Sequence, residues 1–134
     1  MTTNRNPTRW HDHVEKFRVA LMGLIIAARR HSSVRFHAIA AIAVTAMSLF
    51  LRIDLRGCAL LATVAGLVMA TELLNTAIEE LVRVIHPDRC PKIGRVLDIS
   101  AAAVLVAALV AIVVGFCILG PPLIAWWQST ETRL

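Results

Sequence analysis

The chain has 134 residues, a formal net charge of +5 and 57% hydrophobic residues, with a mean hydropathy of +0.69. A soluble domain this small has too little interior to hide so much apolar surface, so the composition excludes an ordinary soluble fold and points to a one-domain integral membrane protein. The basic residues are segregated towards particular loops, as membrane topology requires, so the charge is no sign of a nucleic-acid partner.

Met1–Pro7 is polar and expected to fray, and no apolar stretch with a cleavage site of the signal-peptide kind follows it. Residues 10–30 read as a helix of mixed character. Val14, Phe17, Leu21, Leu24 and Ile25 lie near one face, with His11, Glu15 and Arg18 largely elsewhere. Such a basic amphipathic helix suits the cytoplasmic membrane surface, or packing on a neighbouring bundle. A polar turn is expected over residues 29–33. The first spanning candidate, 36–51, would reach about 24 Å, with Arg35 and Arg52 snorkelling from its ends. Residues 52–56 form a tight loop. The second span, 55–85, closes before Pro87, because helices rarely continue through such a proline. It would extend about 46 Å against a hydrocarbon core of roughly 30 Å, so its second half should reach or pass the interface. A basic loop over 86–97 would carry Arg89, Lys92 and Arg95. The third span, 99–119, is expected to break or kink at Gly120-Pro121-Pro122, with Trp126 and Trp127 in an aromatic belt.

Counting Lys and Arg orients the chain. Seven lie up to Arg35, four at Arg83, Arg89, Lys92 and Arg95, two at Arg52 and Arg56, and one in the tail at Arg133. The positive-inside rule then makes the N-terminus and the second loop cytoplasmic. Cys58, Cys90 and Cys117 are too widely spaced for a metal motif or a disulfide framework, and Cys58 and Cys117 are expected to pack as small apolar residues.

One stretch stands out. On a helix, Glu72, Asn75, Thr76, Glu79 and Arg83 share a face at spacings i, i+3, i+4, i+7 and i+11. Two carboxylates, an amide and a hydroxyl are costly in a membrane helix unless they face protein or water. Topology places them at the cytoplasmic end, within reach of nucleotides and metal ions. Phosphoryl transfer to a lipid hydroxyl needs a divalent ion, cations for the phosphates and a base for the hydroxyl. Glu72, Asn75 and Glu79 are candidates for the first and last of these, with Lys92 and Arg95 as phosphate cations and Asp98 opening the third span. The bland alternative pairs Glu79 with Arg83 and bonds Asn75 and Thr76 between helices. No Walker A or kinase glycine loop is present.

Glu72-Leu-Leu-Asn-Thr-Ala-Ile-Glu79 resembles the signature of the small prokaryotic diacylglycerol kinase and undecaprenol kinase family. The similarity continues in register through Asp98-Ile-Ser-Ala-Ala-Ala-Val-Leu105, Arg35-Phe-His37 and Phe17-x-x-Ala-Leu-x-Gly23, covering roughly residues 10–115. It implies an all-α integral membrane protein with three spans and an N-terminal surface helix, assembled as a homotrimer with sites shared between subunits. It also implies Mg2+-ATP-dependent phosphorylation of a membrane lipid alcohol, diacylglycerol or undecaprenol, at the cytoplasmic face of the bacterial inner membrane. By that resemblance Glu72 takes the place of the general base, Glu79 of a magnesium ligand, and Asn75, Arg95 and Asp98 of nucleotide-site residues. His31 stands where the family has a second metal-binding glutamate, Arg83 where it has an aspartate, and Leu97 where it has a phosphate-facing lysine. Asp12 replaces a basic residue and Cys90 a histidine. His31 with Glu79 would form a metal pair suited to softer ions, and Lys92, Arg95 or Arg83 would supply the cation missing at Leu97. The other reading is a catalytically altered relative that keeps the scaffold to bind lipid or nucleotide. A plain structural subunit leaves the polar stripe without a purpose.

Overall fold

The computed structural model describes residues 9–86, 88 and 90–131. Among them the chain is helical: α1 (Arg9–Arg30), α2 (Ser32–Phe50), α3 (Leu55–Ile85) and α4 (Pro91–Glu131). The last three are each long and apolar enough to cross a membrane. The expected architecture of three spans behind a separate N-terminal helix is therefore present. The expectations for Met1–Pro7, Arg89 and the side chains of His11 and Asp12 fall outside the described residues.

The connections are shorter than the sequence suggests. The polar turn expected over 29–33 contracts to His31 alone, whose extended backbone (φ −114°, ψ 121°) separates α1 from α2. Arg35 makes this corner possible by reaching back to donate from Nη1 to the Arg29 carbonyl at 3.1 Å. That bond satisfies one of the carbonyls a helix C-terminus leaves open. Val34, with no exposed surface, packs at the start of α2.

The α2–α3 turn is tight, as expected. Ile53 N–H donates to the Ser48 carbonyl at 2.9 Å and Arg52 N–H to the Leu49 carbonyl at 3.1 Å. This is the double bond pattern of a Schellman cap, with Arg52 at φ 54° in the position that usually takes glycine. Asp54 then caps α3 by accepting from Gly57 N–H at 3.1 Å. Gly57 has no room for a side chain. A Cβ there would lie 2.6 Å from Ile53 Cγ2 and 3.2 Å from Ile118 Cγ2 on α4. Gly57→Ala is expected to cost about 1–3 kcal/mol through overpacking, read as a lower thermal midpoint in detergent.

α4 corrects two expectations. Pro91 sits at its start, where a missing N–H is harmless, so the basic loop expected over 86–97 shrinks to the few residues between Ile85 and Pro91. Lys92 and Arg95 are therefore helical. At the other end the helix continues through Gly120, Pro121 and Pro122 to Glu131. The two prolines cannot donate to the carbonyls of Cys117 and Ile118, but an opened backbone in apolar surroundings would leave more groups unsatisfied than these two. The extension carries Trp126 onto Phe50 at the end of α2, ring centroids 5.6 Å apart and edge-on.

Packing is densest between α3 and α4, with α2 against α3 next. Among the described residues the buried apolar side chains are few: Val34, Leu61, Val68, Val104 and Ala107. Leu105, Val113 and Phe116 on α4 are more than half exposed, as expected of helices whose outer surface meets lipid rather than water. Of the two cysteines expected to pack as small apolar residues, Cys58 is half-buried with its thiol 3.5 Å from the Ile53 carbonyl, and Cys117 is exposed on the surface of this chain.

Candidate active site

Among the described residues, most of the buried polar side chains lie on the α3 stripe, with Ser48 on α2 the exception. Glu72 is 3% exposed, Thr76 6% and Asn75 8%, while Glu79, one turn further on, is half-buried. Glu72, Asn75, Thr76 and Glu79 all fall on one side of the helix, the side the heptad-like stripe Leu61, Val68, Glu72 and Asn75 turns towards its neighbours.

Two of the expected site residues are bonded to each other. Asn75 Nδ2 donates to Glu79 Oε1 at 2.8 Å. The amide oxygen of Asn75 accepts from Ser100 Oγ on α4 at 2.6 Å. The result is a hydrogen-bonded line across the helix pair, Ser100 to Asn75 to Glu79. Glu72 is different: its Oε1 is buried and has no hydrogen-bond partner among the described residues. An unsatisfied buried carboxyl oxygen costs about 1–3 kcal/mol or more.

The remaining candidates are arranged otherwise. His31 does not approach Glu79. Its Nε2 lies 3.2 Å from Glu80 Oε1, an ion pair when the imidazole is protonated. Arg83 also pairs with Glu80, Nη1 to Oε1 at 3.0 Å, rather than with Glu79 as the i,i+4 spacing suggests. Glu80 thus ties the α1–α2 corner to α3, and with Arg30, His31 and Thr76 it lines a groove of about 420 Å³ between α1 and α3. Lys92, Arg95 and Asp98 are exposed. Asp98 lies two residues, about 200° of helix, from Ser100, so it points away from the Asn75 of its own chain. A second, apolar groove of about 790 Å³ runs among α2, α3 and α4, with Phe36, Val44, Val68, Ile112 and Phe116 in its walls.

Two residues with a part in this geometry were not singled out from the sequence. Ser100 lay in view within the Asp98–Leu105 segment, but a lone hydroxyl in an apolar helix more often bonds its own backbone. Glu80 was hidden by its neighbour, because adjacent carboxylates on a helix point about 100° apart and only one falls on the stripe.

The donor chemistry suits a hard divalent cation completed by other ligands. No group of three or more His, Cys, Asp or Glu side chains is placed to hold a metal among the described residues. Magnesium does not require one, since it usually takes one or two carboxylates and completes its shell with water and substrate phosphates. Glu79 leaves one oxygen outside its bond to Asn75, and the Glu72 oxygen without a partner among the described residues lies two turns back along α3. Both are hard donors. His31, held by Glu80, is outside that set.

A family model described as prokaryotic diacylglycerol kinase matches residues 18–119. The chain belongs to that family. The matched region contains the whole polar stripe, Ser100 and every other candidate site residue. A diacylglycerol kinase from Synechocystis sp. is 36% identical over 110 residues, which is 81% of this chain and 63% of that protein. The match thus spans less than two thirds of that relative's length. The family and the three apolar helices together fit a membrane protein.

Proposed function

We propose that this protein is a membrane lipid kinase that transfers the γ-phosphoryl group of ATP to the hydroxyl of a lipid alcohol, diacylglycerol or undecaprenol. The observation that carries the proposal is Glu72, a buried carboxyl group with an oxygen that has no partner among the described residues, one turn from Asn75 and its bond to Glu79. A group kept at such cost on a membrane helix marks a functional site.

Glu72 lies about 25 Å along α3 from Leu55 and Glu79 about 36 Å, so a core of roughly 30 Å ends between them. The base is then within the apolar layer, where a lipid hydroxyl arrives, and Glu79 is at the interface, where a nucleotide arrives. Glu72 accepts the hydroxyl proton. The alcohol oxygen forms a bond to the γ-phosphorus as the bond from that phosphorus to the bridging oxygen breaks, giving lipid phosphate and ADP. Glu79 would hold magnesium, which supplies charge neutralisation of the phosphate oxygens when bound. Asn75 orients Glu79. Lys92 and Arg95, in the first turns of α4, provide cations for the polyphosphate in place of the lysine absent at Leu97.

The same reading includes a homotrimer in the bacterial inner membrane with the N-terminus cytoplasmic. Asp98, directed away from its own Asn75, is then available to a neighbouring subunit's site, and the apolar groove among α2, α3 and α4 is covered by lipid or by another copy. One observation favours the second reading, a catalytically altered relative. His31 is engaged by Glu80, leaving Glu79 without the second metal ligand that the family resemblance leads one to expect. The test is purified protein in mixed micelles with γ-labelled ATP, Mg2+ and each lipid alcohol separately. Label in one lipid phosphate is the expected result and identifies the substrate. ATP binding with neither lipid labelled would favour the altered relative.

A further inference from the structure

Ser100 Oγ lies 2.6 Å from the Asn75 amide oxygen and 2.8 Å from the Leu97 carbonyl. A hydroxyl has one proton, so it serves one acceptor fully at a time. Which one is decided by Glu79. A carboxylate oxygen only accepts, so the 2.8 Å contact to Glu79 Oε1 must be made by the amide N–H group of Asn75. That turns the amide oxygen towards α4, where Ser100 meets it with its proton. The Leu97 carbonyl, inside a continuous helix, keeps its own backbone donor.

We infer that Ser100 is a positioning residue: it fixes the orientation of the Asn75 amide, so that Asn75 holds one oxygen of Glu79 and leaves the other directed outward to a divalent cation and the nucleotide phosphates. The role rests on the lipid-kinase reading for its use, though not for its geometry. Asn75 is 8% exposed, so water is a poor substitute donor. Without the hydroxyl, the amide oxygen is left unpaired and loses the contact that holds the amide against α4. Glu79 then loses a fixed partner. Outer partners of metal ligands commonly control affinity in this way. Ser100 contacts no reacting atom and is not itself a ligand.

The test uses the full chain in detergent, with Mn2+ as a spectroscopic probe and a non-hydrolysable ATP analogue present. Binding is followed by electron paramagnetic resonance for wild type, Ser100→Ala and Ser100→Thr. The expected result is a loss of Mn2+ affinity of about 10–100-fold in Ser100→Ala, the range typical of outer-shell partners, and wild-type affinity in Ser100→Thr. Thermal midpoints of the two variants should stay close to one another. Wild-type affinity in Ser100→Ala, equal weakening in a folded Ser100→Thr, or no Mn2+ binding by the wild type would each overturn the inference. The readout needs no turnover. A wild type that binds Mn2+ but phosphorylates no lipid sinks the kinase reading and still decides the role of Ser100.

Discussion

Glu72→Gln should lower lipid phosphorylation by about 10²–10⁴-fold, the usual contribution of a positioned general base, and should leave the protein as stable as wild type or more so. The two effects have one cause. Glu72 is 3% exposed and its Oε1 has no partner among the described residues, so the carboxyl group makes no hydrogen bond there that a glutamine would lose. Removing its ionisable character relieves a burial cost of about 1–3 kcal/mol, less whatever the buried amide costs in turn. A thermal melt in detergent and a phosphotransfer assay on the same preparation check both halves. A structural role for Glu72 predicts the opposite pair, a lower midpoint with activity following the folded fraction. Trading stability for activity in this way is common at active sites.

Glu79→Gln should cut turnover by about 10²–10³-fold, as expected when a fixed charge facing the phosphoryl group is lost. The glutamine retains an oxygen for Asn75 Nδ2, so the 2.8 Å bond survives and the effect isolates the charge. Kinetics at increasing Mg2+ check it, with the variant expected to need far more cation. Glu80→Gln is the matched control on the adjacent residue. It loses the charge that pairs with His31 and Arg83 while keeping an acceptor oxygen, and the Glu80 side chain is 41% exposed. The stability cost is therefore less than about 1 kcal/mol after solvent screening. A drop in Glu80→Gln equal to that in Glu79→Gln would mean that the wrong carboxylate has been assigned.

The helices were legible because apolar run length is set by the membrane, and the α3 stripe because helical spacing puts Glu72, Asn75 and Glu79 on one face. What escaped the sequence was of two kinds. At the ends of α4, prolines acted otherwise than as breakers. Pro91 opens the helix, where its missing N–H is harmless, and Pro121 and Pro122 are absorbed within it, since apolar surroundings penalise an open backbone more heavily. At the site, spacing alone could not choose between partners. Arg83 is as well spaced for Glu79 as for Glu80, and only the packing of His31 at the α1–α2 corner shows which carboxylate meets them both. Ser100 became significant only when the antiparallel pairing of α3 and α4 set it opposite Asn75. That pairing depends on helix register, which periodicity does not carry.

The most direct measurement is a single-turnover transfer of label from γ-labelled ATP to lipid, run side by side with wild type and Glu72→Gln in vesicles containing diacylglycerol or undecaprenol. The account predicts labelled lipid phosphate with wild type for one of the two alcohols, and almost none with a Glu72→Gln variant that is equally folded and still binds ATP. Equal labelling by the two proteins, or unlabelled lipid with wild type at every Mg2+ concentration, would contradict it.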